Sequence, residues 1–600
     1  MAIVIAVIDP DPARRAAYLS HVAQSIAPWP GLALGSRARG DMAVLWAAAP
    51  NAPVDCTPDG DPIALLIGDA LRDDGARMAA AELARIWRSP EQAPPGVLDG
   101  LHVGVTLSAS GTLVVGADLL GILPVYYWQR GAVTIVASSP EHIQAHPDYR
   151  KVIDVEGLAG LLLLGHLFGG RTLVEGIRRL APGNLFVTGL HGAPREIVQH
   201  RIETSRQHYD LPFEALQELL VDGIDQAVRR LAHHPSTALL LSGGRDSRLL
   251  GGFLARHRRQ VRAITLGRET DGEFRCAREV ARTLGFAHTM VDVPSGEYPA
   301  IAERMARWEQ LAGGFPFADP WGLPDHLESS PPATVTGLVM DAVVGGSHIL
   351  WAYTSKTRQM SFDAFFERIN RLAFPPDAVA SLLGDRHGPD AVASVIDRVR
   401  STYAGLGESD AQRAWAFDLL HRQRLFVART AWPLSFRSWP VIPTVERALL
   451  RLCGGMPPSA LAGRRLQDAI LLDEFPSLAE LPLDRNAFDS TPLRPRLRNV
   501  LTGHLRYIGR AAGLWSGPTL DRDWERLYYY RTFWVNAPGW MAVRRTAEPL
   551  RTRLGELLDP TRLAELLPPA DRTVETADMI IDSNRVKLLI GLALWARDHL

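Results

Sequence analysis

The hexapeptide Ser242-Gly243-Gly244-Arg245-Asp246-Ser247 brings together residue types that could handle a polyphosphate. Gly243 and Gly244 lack a Cβ, so the backbone can take positive φ and let an anion approach, while the free N–H groups that open a following helix point at it. Ser242 and Ser247 can add hydroxyl donors. Asp246 cannot bind phosphate directly, because like charges repel; a carboxylate at the rim of a phosphate cradle makes sense as a magnesium ligand. The Walker sequence GK[ST] is absent, which excludes an ordinary P-loop. By itself the hexapeptide also fits a plain serine-glycine turn between a strand and a helix.

The elements around it are those such a turn needs. Ala238 to Leu241 reads as a short apolar strand, and from Ser247 the residues Leu249, Leu250, Phe253 and Leu254 recur at helical spacing. A second strand is expected at Val261–Leu266, ending in Gly267. A polar loop at Glu269–Glu273, a helix over Phe274–Leu284 and a third strand near Ala287–Val293 complete a βαβαβ unit. Ligands of such parallel sheets bind at the carboxyl ends of the strands. Helices and strands alternate from about Phe213, after a connector at His208–Pro212. The preceding residues are β-rich, with runs at Ile3–Ile8, Ala43–Ala48, Ile63–Ile67, Leu101–Leu107, Thr112–Val115 and Val133–Ala137, and one helix at about Gly75–Trp87.

At 600 residues the chain has room for more than one domain, and 46% apolar with 22% charged residues are ordinary globular values. A net charge of -1 gives no global attraction to nucleic acid or to an acidic membrane. Arg256, Arg258, Arg259 and Arg262 form a local basic run that reads as a solvated loop after a helix. The three cysteines, Cys56, Cys276 and Cys453, form no CxxC pair, which fits a reducing cytoplasm and argues against a structural zinc site or a disulfide framework. MAIVIAVIDP lacks a basic leader and reads as a first strand rather than a signal peptide. No run approaches membrane-spanning length; Leu588–Trp595 is too short and sits in a helical pattern.

SGGRDS resembles the pyrophosphate-binding loop of the ATP pyrophosphatase superfamily, whose members cleave ATP to AMP and pyrophosphate while adenylating a substrate oxygen. The stretch Asp118 to Tyr127, DLLGILPVYY, is similar to DRLGIKPLYY of the glutaminase domain in glutamine-dependent asparagine synthetases. Ala137 to Glu141 resembles that family's ASE segment, and Arg171 to Gly183 its closing strand pair. Val335 to Gly346 resembles SGEGSDExFGG, with Thr336, Gly337, Asp341, Gly345 and Gly346 retained or conservative. The resemblance implies an N-terminal Ntn-hydrolase-like β-sandwich flanked by helices over 1–205. Over 206–600 it implies an α/β adenine-nucleotide-hydrolase-like synthetase domain with helical C-terminal additions. It further implies ATP and Mg2+ as cofactors, with Asp246 and Asp341 as metal ligands and catalytic residues. Leu241, Ser242, Gly243, Gly244, Asp246, Ser247, Leu266, Thr336 and Gly337 would bind the nucleotide, Leu266 touching the adenine. Arg437-Ser438-Trp439-Pro440 loosely resembles the family's RVPF element. Leu483 to Phe488 loosely resembles RPKQGF, which puts Arg485 where the family has a catalytic lysine; an ordinary surface arginine is the alternative. The aromatic stretch with Tyr528, Tyr529, Tyr530, Trp534 and Trp540 has no placed counterpart.

Departures from the pattern carry functional information. Family glutaminases use a cysteine exposed at position 2, and here that residue is Ala2; Cys56 reads as a small core or surface residue. No glutamine-holding segment is recognisable between Ser36 and Asp74, so the N-terminal fold is expected to be silent. Leu338 stands where asparagine synthetases have a glutamate and β-lactam synthetases a tyrosine, and Ala342 replaces the acidic residue after Asp341. The chain therefore most resembles the lasso peptide cyclases, AMP-forming carbon-nitrogen ligases that join a precursor peptide's N-terminal amine to an Asp or Glu side chain. Its implied partners are that peptide and, in the same pathway, a leader-peptide-binding protein and a leader peptidase, with no nucleic acid or membrane. Alternatives are a β-lactam-synthetase-like or ammonia-dependent small-molecule amide ligase, and a non-catalytic nucleotide- or peptide-binding scaffold.

Overall fold

Along Ile63–Gly68 the side chains alternate between two destinations, as strand geometry requires. Ile63, Leu65 and Ile67 enter the main core, while Ala64 and Leu66 pack with Leu83 and Trp87 of a short helix on the outer face. The computed structural model describes all residues except 1, 2, 27, 28, 30, 59, 94–97, 190, 191, 328–330, 347, 348, 350–359, 386, 486–489, 496–500, 502, 503, 506, 507, 510, 511, 513 and 515–522. Ala2 therefore lies outside the described residues.

The described strands of the first 200 residues are β1 (Ile3–Ile8), β2 (Ala33–Arg39), β3 (Met42–Ala48), β4 (Val54–Cys56), β5 (Ile63–Gly68), β6 (His102–Leu107), β7 (Thr112–Ala117), β8 (Tyr126–Arg130), β9 (Val133–Ala137), β10 (Arg178–Arg179), β11 (Asn184–Gly189) and β12 (Arg195–Val198). They build two six-stranded antiparallel sheets, ordered β10-β8-β9-β1-β3-β2 and β12-β11-β7-β6-β5-β4. The inner faces of both sheets share one core, giving the β-sandwich flanked by helices that the sequence implies.

The expectation of a single helix in this region is corrected. Besides α2 (Ala80–Ile86), the chain forms α1 (Pro12–Ile26), α3 (Pro140–Gln144) and α4 (Val155–Leu164). α1 buries only Tyr18, Val22 and Ile26, a narrow stripe at every fourth position hidden among Ala and Arg. From Gly157 on, α4 is an unbroken apolar run, which periodicity cannot tell from a strand. Asp154 caps its start by accepting from Gly157 N at 2.8 Å, and Gly165 ends it in the left-handed conformation. α2 begins later than the expected Gly75, because Arg72 to Ala76 is taken up by a turn, with Arg72 N donating to Ala76 O.

The second half is organised on a five-stranded parallel sheet. Its strands are β13 (Ser236–Leu240), β14 (Gln260–Leu266), β15 (Ala287–Val291), β16 (Ala333–Val335) and β17 (Trp439–Val441), in the order β15-β14-β13-β16-β17. α5 (Phe213–Arg229) leads in, α6 (Arg245–Arg256) and α7 (Gly272–Leu284) cross between strands, and α8 (Tyr298–Glu309), α9 (Asp319–His326) and α10 (Met340–Val343) follow. The chain moves from β13 outward to β15, then returns to the other side of β13 to lay down β16. That reversal makes β13 and β16 the switch point, where a crevice opens beyond the carboxyl ends. Residues 410–434 follow a continuous helical path whose middle, Leu419–Val427, widens into π geometry. The C-terminal helix Met579–His599 is mostly buried, held by Lys587 Nζ donating to Pro316 O at 2.5 Å and Phe533 O at 2.7 Å. Among the described residues no helix is long and apolar enough to cross a membrane.

Candidate active site at the carboxyl ends of two parallel strands

Register sets the geometry of the crevice. Leu239 of β13 pairs with Val335 of β16, so the loops that leave the two strands, 241–247 and 336–341, start side by side. Leu241 N still donates to Ile264 O at 2.8 Å, and the chain turns at Ser242. Gly243 has φ +77°, and a Cβ there would lie 2.6 Å from Cys276 Cβ and 2.7 Å from Ala277 N of α7, so only glycine fits. Gly244 caps α6. Ser242 Oγ accepts from Gly244 N at 3.2 Å and lies 3.2 Å from Ser247 Oγ, which in turn accepts from Ser242 N at 3.1 Å. The loop is thus folded back on its own hydroxyls, with the open N-terminus of α6 above it.

Gly337 closes the crevice from the β16 side. A Cβ on it would stand 3.1 Å from Asp246 Cβ and 3.3 Å from Ser247 N, so the Thr336-Gly337 turn lies directly on the first turn of α6. Thr336 is buried and its N–H donates to Val441 O at 2.9 Å, extending the β16–β17 ladder. Leu266, at the end of β14 and half-buried, packs against the apolar group of Ala238, Ile264, Val291 and Leu323. The aromatic segment docks nearby: Tyr528 N and Tyr529 N donate to the Glu273 carboxylate at 3.0 and 3.3 Å, and Arg531 pairs with Asp271 at 2.7 Å.

Asp246 and Asp341 come together around a third residue. Arg464 Nη1 lies 3.1 Å from Asp246 Oδ1, and its Nη2 lies 3.8 Å from Asp341 Oδ2. Gln467 Nε2 donates to Asp246 Oδ1 at 2.6 Å. Burial, and then repulsion from Asp341, raise the Asp246 carboxyl above its ordinary value against the pull of Arg464. About a quarter of each carboxylate side chain stays open, 26% for Asp246 and 27% for Asp341. Burial opposes the charge of Arg464, but the two carboxylates hold its guanidinium above the ordinary range. Two hard carboxylate oxygens facing one cation are a donor set that suits Mg2+. Asp246 and Asp341 would hold that ion.

Several residues of this site were not expected from the sequence. Arg464 follows the turn at 461–463, its N–H donating to Gly345 O at 2.7 Å, and the helix Arg465–Glu474 supplies Gln467 to Asp246 and Asp468 to Arg245. Their spacing of three and four places them on one helix face, the one signal that could have found them. Arg248 is wholly buried and donates to four carbonyls: Gly243 at 2.9 Å, Leu478 at 2.7 Å, Leu481 at 3.2 Å and Pro482 at 2.5 Å. Burial lowers its pKa to about 10, so the guanidinium still carries its charge at neutral pH. Asp484 N also donates to Gly243 O, at 3.2 Å, so the segment carrying Arg485 is tied to the loop. The Arg485 side chain itself donates to Thr491 O. The neighbouring Asn486, Ala487 and Phe488 lie outside the described residues.

The sandwich contributes no cysteine nucleophile to this crevice. Cys56 sits on β4, the edge strand of its sheet, with its thiol donating to Thr57 O at 3.5 Å, and burial pushes its pKa up, away from a reactive thiolate. Its DLLGILP turn instead meets the second half of the chain. Asp118 accepts from Ile122 N and Leu123 N at 2.9 Å each, and Arg424 reaches across to donate to Gly121 O at 3.0 Å and Leu180 O at 2.6 Å.

Known proteins resemble parts of this chain. The glutamine phosphoribosylpyrophosphate amidotransferase from B. subtilis, complexed with ADP and GMP, aligns with 10% identity and a TM-score of 0.22, covering 48% of this chain and 65% of that one. A structure of the allosteric regulatory enzyme of purine biosynthesis gives 11% identity and 0.22, covering 52% and 78%. In sequence, the chain is 26% identical over 146 residues to asparagine synthetase [glutamine-hydrolyzing] 3 of Bacillus subtilis (strain 168). That match spans 24% of each protein, about a quarter of the relative's length. Residues 219–423, which carry Ser242 to Ser247, Leu266, Thr336, Gly337 and Asp341 but neither Arg464 nor Arg485, match the Asparagine synthase family.

Proposed function

We propose that the chain is an ATP-dependent, AMP-forming carbon-nitrogen ligase that closes a macrolactam in a precursor peptide, as lasso peptide cyclases do. The observation that carries the reading is the meeting of Asp246 and Asp341 at a glycine loop that lacks a Walker lysine. A cradle of this kind suits a departing pyrophosphate rather than γ-phosphoryl transfer. The loop N–H groups and Ser242 orient the β- and γ-phosphates. The peptide's Asp or Glu carboxylate attacks the α-phosphorus, forming the acyl-adenylate as the bond to pyrophosphate breaks. The peptide's N-terminal amine then attacks the acyl carbon, AMP leaves, and the amine's proton is released. Magnesium, when bound, supplies charge neutralisation as pyrophosphate develops.

The peptide as substrate is supported by three features of the chain. Ala2 leaves no cysteine to free ammonia from glutamine, and Leu338 and Ala342 take acidic groups out of the pocket that a free amino acid would use. The half-buried rings of Tyr528, Tyr529 and Tyr530 offer apolar surface beside the loop after β14. An acyl-adenylate hydrolyses readily, so the site must exclude water during turnover. A leader-binding protein and a leader peptidase would deliver the core peptide. Incubation with ATP, Mg2+ and the precursor should yield AMP, pyrophosphate and a peptide lighter by one water, and amidation of the acceptor Asp or Glu should stop both. Formation of ADP, or turnover of free aspartate with ammonia as fast as any peptide, would replace this reading with a small-molecule amide ligase.

A further inference from the structure

Away from the crevice, the two halves of the chain meet at a cluster of Asp69, His233 and His234. Asp69 follows β5 of the sandwich and is 4% exposed; the histidines end the 3-10 turn Arg230–His233 that leads into β13. Asp69 Oδ2 lies 2.8 Å from His234 Nε2, and Oδ1 lies 3.2 Å from His233 Nε2. All three side chains offer ligand atoms within 4.8 Å of one another.

The hydrogen bonding of His233 makes this more than an ion pair. Its Nδ1 stands 2.9 Å from the Arg230 carbonyl oxygen, which can only accept, so Nδ1 carries the proton. In the neutral ring Nε2 then presents a lone pair, and it faces another lone pair on Asp69 Oδ1. Both atoms are buried, and neither has a hydrogen-bond partner. An imidazole whose outer nitrogen donates to a backbone carbonyl while its inner nitrogen faces a carboxylate is oriented as metal ligands are. Arg77 Nε, 3.3 Å from Asp69 Oδ1, would serve as the outer partner of the carboxylate, though its charge weakens the site's pull on a cation.

We propose that Asp69, His233 and His234 bind a zinc-class divalent metal that staples the sandwich to the synthetase half. Two imidazoles and one carboxylate suit Zn2+, with water as a fourth ligand reaching the site past His233, whose side chain is 19% exposed. The three cysteines play no part: a scarcity of thiols speaks only to thiolate sites. The staple would fix the position of the turn two residues before β13, the strand whose carboxyl end bears the phosphate loop. It is independent of the ligase reading.

The test uses the full chain, stripped with a chelator and titrated with Co2+ as a visible probe, in an Asp341→Asn background so that the crevice does not compete. One Co2+ per chain with tetrahedral d–d bands, displaced by Zn2+ and accompanied by a rise in melting temperature, is expected. The bands should vanish in His233→Ala/His234→Ala. Absence of the bands, or their survival in the double variant, overturns the proposal and leaves the three residues as a metal-free contact between the halves. Should the double variant not fold, X-ray absorption of the zinc-loaded parent decides: two imidazole ligands are required, and any other set refutes the site.

Discussion

Arg464 donates to Asp246 across 218 residues of chain, Nη1 to Oδ1 at 3.1 Å, and so occupies the space where two carboxylates would otherwise repel each other. A metal that enters between Asp246 and Asp341 must compete with this guanidinium. Arg464→Gln should therefore lower the Mg2+ concentration needed for half-maximal ATP binding, while turnover falls at least tenfold through loss of a cation beside the phosphates. A Mg2+ titration at fixed ATP reads the first effect. An unchanged or higher Mg2+ requirement would show that Arg464 does not compete.

Asp246→Asn and Asp341→Asn should each abolish ATP consumption without unfolding the chain. Losing one metal-binding carboxylate removes several kcal/mol of transition-state stabilisation, roughly a thousandfold or more in rate. Pyrophosphate release measures it, and near-normal turnover in either variant would take that residue out of the metal site.

Arg248→Met should destabilise the second half and loosen the loop. Of its four carbonyls, Gly243 O keeps the Asp484 N–H and Leu478 O the Leu481 N–H, but the half-buried Leu481 O and Pro482 O lose this donor, and leaving a buried carbonyl unpaired costs about 1–3 kcal/mol before relaxation. A melting temperature lowered by several degrees is expected, together with a higher KM for ATP, since Gly243 O is one of the four. An unchanged melting temperature would mean that the surrounding segment 478–482 does not need the guanidinium.

The boundary between the halves should weaken as pH rises. Burial, with added repulsion from Asp99, pushes the Glu446 carboxyl from its ordinary 4.5 up to about 8, despite Arg230 at 2.9 Å. A raised folded pKa means that the native state holds the proton more tightly. Its contribution is full below about 4.5 and is lost as pH climbs toward 8. Melting temperature should fall over that window, and Glu446→Gln should flatten the fall. An identical slope in the variant would assign the effect to other groups.

Incubation with glutamine should release no glutamate above background. Ala2 carries no thiol, and the Cys56 thiol is raised by burial rather than activated. Release that persists in Cys56→Ala would contradict a silent domain; release lost in that variant would identify Cys56 as the nucleophile.

The sheet and the glycine turn at 242–247 were legible because their signals are local. The run before Ser242 and the 3.6-residue spacing after Ser247 lie within eighteen residues, and Gly243 falls where the chain must approach α7. Arg464, Gln467 and Asp468 were not legible because their role depends on the 218-residue return that lays their helix against α6. Arg248 was hidden in plain view. It reads as a surface residue beside Leu249 and Leu250, and only the packing of 478–482 turns it inward. α1 escaped notice because a three-residue stripe of Tyr18, Val22 and Ile26 is too sparse to stand out from alanine and arginine. The Asp69–His233–His234 cluster joins positions far apart in sequence, and no spacing rule connects them.

Arg424 belongs to the helical path of the second half, yet its guanidinium ends on Gly121 O and Leu180 O of the sandwich. A genetic screen should register this. Alleles that distort the Asp118–Leu123 turn would behave like alleles of the second half, although mapped on the gene they would fall in the first. Reversion should come from second changes at or around Arg424, because a buried guanidinium stripped of its acceptors does more harm than a smaller neutral side chain. Selection on the second half would then be enough to preserve the sandwich, whether or not the sandwich carries out a reaction itself.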